Sequence, residues 1–400
     1  MLTSSALVLL MVPGLALFYG GMVQKKNILT TMMHSFVAMA LIGVQWVLCG
    51  YSIAFGKDIR GVLGWSADSL MLHGLPYTKN YADKAIPEFV FVMFQGKFAI
   101  ITPALISGAV AERMRFKTYI VFILLWSTLI YDPLSHWVWG TGGWLLERGV
   151  LDFAGGTVVH ISSGVSALAL ALLLGRRQDY PHGAIRPNNL VLTLTGAGLL
   201  WFGWFGFNAG SAVGAETPVS GYLAGLAFTN TQTAAASAGL SWMLIEWRHH
   251  KKPTSLGLAS GIVAGLVAIT PGAGHVQPLW AAVIGAGASL LCFYGVQLKG
   301  RFGYDDSLDA FGIHGLGGIF GALMTGVCCV TPVQGVVFGH FAQLGRQTLG
   351  VVAAALYAFL GTLAIGLFLK RVMGLRASSD EEQAGLDITV HGEAGYHLDH

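Results

Sequence analysis

The chain has 400 residues and a formal net charge of +3; 54% of its residues are hydrophobic and 11% are charged. Soluble domains carry roughly 25% charged residues, so this composition excludes an ordinary soluble protein and predicts one that crosses a membrane many times. No basic segment precedes the first apolar run, which makes residues 2–23 a membrane helix and not a cleaved signal peptide. That helix begins almost at Met1, which leaves room for a longer native N-terminus.

In chain order, apolar runs of the roughly 20 residues that span a bilayer fall near 2–23, 30–55, 87–111, 117–139, 154–175, 190–211, 220–246, 254–271, 277–297, 308–328 and 346–371. The expected fold is therefore all-α and polytopic, with eleven transmembrane helices. One set of alternating loops holds Lys25 and Lys26, Arg113 and Arg115, Arg176, Arg177 and Arg186, Arg248 and Lys251, and Lys299 and Arg301, and the tail adds Lys370, Arg371 and Arg376. The other set holds fewer, chiefly Lys57, Arg60, Lys79, Lys84 and Arg148. The positive-inside rule then places the N-terminus outside and the C-terminus in the cytoplasm, in a cytoplasmic (inner) membrane. Eleven divides into five, five and one. A repeat over about 1–175 and an inverted copy over 190–328 precede a last helix at 346–371, with a binding site at the repeat interface. The membrane domain is thus 1–371, and 372–400 is a polar cytoplasmic regulatory tail. The longest loop, 56–86, falls on the external side. Cys49, Cys292, Cys328 and Cys329 all lie in apolar segments and read as packing thiols without disulfides.

Two histidines sit deep in apolar runs, His160 in GGTVVHISSG and His314 in FGIHGLGGIFG. Ionisable groups at such depth are costly and mark function, and the small residues around them permit close helix approach. Each is preceded by an aspartate, Asp152 and Asp309. His160 lies about 12 Å below Asp152 at 1.5 Å per residue. On the same outer side, different helices deliver Phe94 and Phe98, Trp139, and then Trp204, Phe207 and Ser211. Aromatic faces attract a small cation by about 0.5–2 kcal/mol each, and a hydroxyl adds an acceptor. Below them no ring of carboxylates or carbonyls is evident to carry a bare ion. A cation entering there has to lose its charge, which ammonium does by losing a proton and potassium cannot. Two neutral imidazoles, one donating and one accepting, then line the route.

Each residue taken singly also has a plainer reading. A buried histidine serves as a helix–helix hydrogen bond, Trp139 as part of an interfacial belt, and Asp152 as a helix N-cap. The two histidines lack further ligands at matching depth, so no metal and no cofactor is expected. Lys97, between Phe94 and Phe98, lies about 15 Å below the start of its helix, and Asp132 reaches a similar depth from the other direction. A buried Lys97–Asp132 ion pair off the pore axis is the expectation.

The segments PGLALFYGG, FQGKFAIITPALISGAVAERMRF, HWVWGTGGW, LDFAGGTVVHISSG, GWFGFNAGSA, DAFGIHGLGGI and GLDITVHGEAGY, in this order, resemble the ammonium transporter (Amt/Rh) family on its Amt branch. The resemblance implies a homotrimer in the lipid bilayer with one pore per subunit, carrying ammonium or ammonia, with methylammonium as a further candidate. By the same resemblance Phe98 and Phe207 correspond to a stacked phenyl gate, Phe94, Trp139 and Ser211 to an external recruitment site, and Trp204, His160 and His314 to the pore. Asp152 corresponds to an acidic residue that maintains site architecture, and the tail to a segment that meets PII-type signal proteins. It implies no enzymatic activity and no nucleic-acid partner. An ammonium sensor on the same fold, an intramembrane metal-dependent hydrolase and an unrelated cation-coupled carrier are the alternative classes.

Overall fold

The computed structural model describes residues 1–78, 80–81, 86–178, 180, 187–213 and 218–396. Lys79, Lys84 and Arg186, which entered the charge count above, lie outside the described residues. Eleven long helices follow one another among the described residues. They are α1 (Leu2–Met22), α2 (Lys25–Phe55), α3 (Glu88–Val110), and α4, built end to end from Phe116–Trp126, Ser127–Tyr131 and Asp132–Trp139. Then come α5 (Gly156–Leu174), α6 (Leu190–Gly210), α7 (Pro218–His250), α8 (Ser255–Gly272), α9 (Pro278–Phe302), α10 (Phe311–Cys328) and α11 (Ala342–Val372). A short helix α12 (Ser379–Ala384) lies in the tail.

Ten helices of the described chain are long and apolar enough to cross a membrane. The helix that falls short of that apolarity is α7, which is 33 residues long and carries Thr229, Asn230, Thr231, Gln232 and Thr233 in one run. Outward-facing leucines and aromatics, such as Leu129, Leu172, Phe202, Leu240 and Leu360, coat the helices on their lipid-accessible sides. In a hydrocarbon surround, helices satisfy every backbone polar group internally, so the long helical runs and the apolar coat are one solution to one problem. The only strands among the described residues are β1 (Asp58–Ile59) and β2 (Leu63–Gly64), a two-residue antiparallel pair in the long loop.

Two close helix pairs organise the interior. One is α1 against α6, where Gly196 abuts the backbone of α1: a β-carbon there would lie 2.3 Å from the Phe18 amide nitrogen. The other is α5 against α10, where a β-carbon on Gly164 would lie 2.1 Å from the Gly315 nitrogen. Without side chains in between, the backbones touch, and the residues one step away are pressed together across the crossing. Those residues include His160 and His314.

The expected Lys97–Asp132 pair does not form. Asp132 is fully buried, and Gln45 Nε2 donates to its Oδ2 at 2.7 Å. Lys97 instead lies on the one partly exposed stripe of the otherwise buried α3, with Val90 and Met93 at helical spacing. Counting residues along two helices says nothing about the direction in which each side chain leaves its helix, and among the described residues no ion pair includes Lys97. The aspartate ahead of α10 also differs from expectation. Asp309 has φ +61 and pairs with Lys299 at 2.5 Å. Asp306 is the residue that accepts from the Ala310 and Phe311 amides at 3.0 and 2.7 Å. All four cysteines are free, as expected.

Candidate functional site

Both histidines sit in a wide helical turn of π type, Gly156–Ile161 for His160 and Phe311–Gly315 for His314. Such turns shift the register of a helix by a residue and cluster at functional sites. Ahead of the first turn, Asp152 uses both carboxylate oxygens. Oδ1 accepts from the Gly155 and Gly156 amides at 2.8 and 2.7 Å, and Oδ2 from Thr157 and Val158 at 2.8 and 3.0 Å. Four otherwise orphaned N–H groups at a helix start are thereby satisfied by one side chain. Gly155, at φ +113, is the hinge that lets the chain fold around that carboxylate.

The histidine rings face each other, with Nδ1···Nδ1 at 3.3 Å and ring planes 21° apart at 5.3 Å. Two nitrogens at this distance share one proton: one imidazole donates and the other accepts, so the two rings hold linked tautomers. His160 Nε2 is buried with no hydrogen-bond partner. Above the pair, Trp204 stacks on His160 at 5.3 Å, held by its indole N–H donating to Thr270 Oγ1 at 2.9 Å. Thr270 is itself fixed by donating to the Leu266 carbonyl at 2.7 Å. A void of about 10 Å³ runs beside the rings, lined by His160, His314, Trp204, Phe207 and aliphatic side chains such as Leu15 and Val263. That volume is about one water-sized sphere, so only something about the size of a water molecule fits there without side-chain movement.

Phe98 and Phe207 close the column, stacked at 4.1 Å with planes 30° apart. Beyond them opens a mouth cavity of about 250 Å³, whose lining includes Phe98, Trp139, Asp152, Phe153, Ser211 and His275. Trp139 meets the edge of Phe98 at 6.0 Å and donates to the Asp152 carbonyl at 2.8 Å. Ser211 donates to the Phe207 carbonyl at 2.9 Å, which leaves its oxygen lone pairs free to accept. The hydrogens of these two polar groups are therefore committed to the protein. What the two present to an occupant is ring face and lone pair, the complement of a small cation that carries N–H groups.

The structure thus brings together Phe98, Phe207, Trp139, Ser211, Trp204, His160, His314 and Asp152 in one column. Phe94 stands one step behind it. It is fully buried, packs on Phe98 at 4.9 Å and on Gly210, and is not among the residues that line the mouth cavity. Lys97 and Asp132 also lie off the column, since neither lines the mouth cavity or the inner void. Sequence reasoning missed Phe153, His275 and Gln95 in the cavity wall and Thr270 behind Trp204. His275 lies in a loop between α8 and α9, where no helical periodicity draws attention to it. Among the described residues no group of three metal-ligating side chains occurs.

Comparison with known proteins places this geometry. The model of the Ammonium Transporter Family matches residues 1–396. An ammonium transporter of Bacillus subtilis is 48% identical over 98% of this chain and 96% of its own length. An ammonium transporter of Archaeoglobus fulgidus is 43% identical over 99% and 97%. Among solved structures, Mep2 of Candida albicans matches with TM-score 0.87 at 34% identity, covering 95% of this chain and 85% of that one. A structure titled as a sensor Amt protein matches with TM-score 0.88 at 31% identity, covering 97% and 96%. With a family model matched along nearly its whole length and relatives near half identity, this chain belongs to the ammonium transporter family.

Proposed function

We propose that the chain takes up ammonium by recruiting the cation in the mouth cavity, removing a proton near Phe98 and Phe207, and passing ammonia along His160 and His314. Trp139 and Ser211 hold the cation, with Phe94 supporting the gate from behind. Asp152 keeps the entrance turn in shape. The proton returns to the outer solution or crosses by way of the histidine pair. Whether it crosses too sets the electrical character of transport, and the column is compatible with either.

The observation that carries this reading is the change of character across the Phe98–Phe207 stack. On one side is a cavity with free lone pairs and ring faces. On the other is a narrow void walled by carbon and two imidazoles that share a hydrogen bond. A bare cation loses hydration there without carboxylate or carbonyl compensation, at a cost of several kcal/mol, whereas a neutral amine does not.

In the same proposal all eleven helices cross the membrane, α1–α5 and α6–α10 are inverted repeats, and α11 stands apart. The N-terminus lies outside and the tail in the cytoplasm of the cell membrane. The polar run of α7 fits a helix covered by protein, in keeping with a homotrimer. The cytoplasmic face with its docked tail is the surface a PII-type signal protein would meet. His160→Ala tests the pore assignment: ammonium flux or its selectivity over potassium is lost in proteoliposomes while the oligomer assembles unchanged. Wild-type flux together with wild-type selectivity in that variant would refute the role of the pair.

A further inference from the structure

We propose that His275 is a further ammonium-binding residue, whose imidazole offers a hydrogen-bond acceptor to the cation in the mouth cavity. This inference rests on the transport reading above and adds to it a ligand from the loop between α8 and α9.

The loop is built to hold that ring in place. The His275 amide donates to the Gly272 carbonyl at 2.8 Å, and its own carbonyl accepts from the Val330 amide at 2.8 Å. From α7, Asn230 Nδ2 donates to the carbonyls of Ala273 and Val276 at 2.8 and 2.7 Å, and Val276 forms a bridge with Cys329. Two separate elements, α7 and the segment after α10, therefore hold the loop 272–276, which is also tied internally. A β-carbon on Gly274 would lie 2.2 Å from the Phe153 ring, so glycine there lets Phe153 close in. The His275 ring meets Phe153 edge to face at 5.3 Å and 85°.

The ring is only partly covered and lines the cavity together with Ser211 and Trp139. A neutral imidazole carries one N–H and one lone pair. The Thr331 backbone attracts the N–H. Among the described residues nothing donates to the ring, and Nδ1 is buried without a partner. Burial pushes the pKa down to about 4, so near neutral pH the ring brings no positive charge to the cavity wall, and its Nδ1 lone pair is left unused by any described residue. An ammonium ion has more N–H groups than Ser211 can accept alone. A second acceptor on a rigid loop fits that need, and the ring faces around it suit the positive charge.

The test measures ammonium-induced currents on proteoliposomes for wild type, His275→Phe and His275→Gln. Phenylalanine keeps the packing on Phe153 and removes both nitrogens, while glutamine keeps an acceptor. The Phe variant should need about tenfold more ammonium for half-saturation, the loss of one hydrogen bond to a charged group, with the maximal current largely kept. The Gln variant should return to within about threefold of wild type. If Phe prevents assembly, His275→Leu takes its place in the same comparison. Unchanged half-saturation in the apolar variant, or a Gln variant as impaired as Phe, overturns the inference while leaving the transport reading intact. A wild-type protein that gives neither a current nor an internal pH change under the same ammonium jump overturns the transport reading, and this inference with it.

Discussion

At the scale of single residues, the buried polar groups divide into those the protein satisfies completely and those it leaves open. Asp152 belongs to the first kind, with four amide donors on two oxygens. Asp152→Asn turns an NH₂ group toward two of those donors and should cost about 1–3 kcal/mol, read as a lower melting temperature and reduced ammonium current. Asp132 should behave differently. Among the described residues no cation pairs with it, and an asparagine oxygen can accept from Gln45 as the carboxylate does. Asp132→Asn should therefore leave melting within a few degrees of wild type; a large drop would revive a charged partner for it. Among the open groups are His160 Nε2 and His275 Nδ1, on residues that line the inner void and the mouth cavity. His160 and His314 were legible in the sequence because an ionisable residue in a long apolar run has few ordinary explanations. His275 was not, because a histidine in a short glycine-rich loop has many. Lys97 was misjudged because depth follows from counting residues, whereas the direction a side chain takes depends on which neighbours cover its helix.

At the scale of elements, the π-type turns and the glycine crossings act together. The wide turns set the phase of α5 and α10, and the Gly164–Gly315 contact sets their separation, so that two imidazoles meet at 3.3 Å. Gly164→Val would force the helices apart at a cost of at least about 1–3 kcal/mol, and ammonium current should fall together with melting temperature. The glycines were visible in the sequence; the turns were not, since π geometry has no signature in residue pattern. On the loops at the tail's end of the helices, Arg177 grips Asp305 through Nε and Nη2, each at 2.8 Å, and Glu112 through Nη1 at 2.5 Å, tying together the segments after α3, after α5 and before α10. Burial would raise the Asp305 pKa, but the Arg177 hydrogen bonds and charge outweigh it and hold the carboxyl below its ordinary value. A depressed folded pKa gives stability that is complete above the ordinary value of 3.8 and is lost as pH falls through the lower folded value. Thermal melting should therefore drop below about pH 4, and Asp305→Asn should flatten that dependence while lowering stability at neutral pH.

At the scale of the whole molecule, the tail is fastened to the membrane domain at several points. Asp387 accepts from the Leu29 and Thr30 amides at 3.0 and 2.8 Å, capping the start of α2 from a residue more than three hundred positions away. Lys26 donates to the Glu382 and Gln383 carbonyls, Arg376 pairs with Glu382, and Tyr396 donates to Asn188. Asp387→Ala should release the segment beyond α12, seen as faster limited proteolysis of the tail with the membrane domain intact. A tail of this composition reads as polar and terminal in sequence, and nothing in its pattern announces the partners it finds. The membrane helices were far more legible, because bilayer thickness imposes a length on every apolar run. The seventh helix shows the limit: within its polar run Asn230 and Thr231 are buried while Thr229 and Gln232 are exposed, a division composition does not state.

The central claim is that the column admits only what can shed its charge at the mouth. The direct measurement compares solid-supported-membrane currents on proteoliposomes of the wild-type protein under matched jumps of ammonium and potassium. A saturable response to ammonium is expected, as a current or, if the proton stays behind, as an internal pH change under the same jump, and none to potassium. Potassium permeating as readily as ammonium would contradict it.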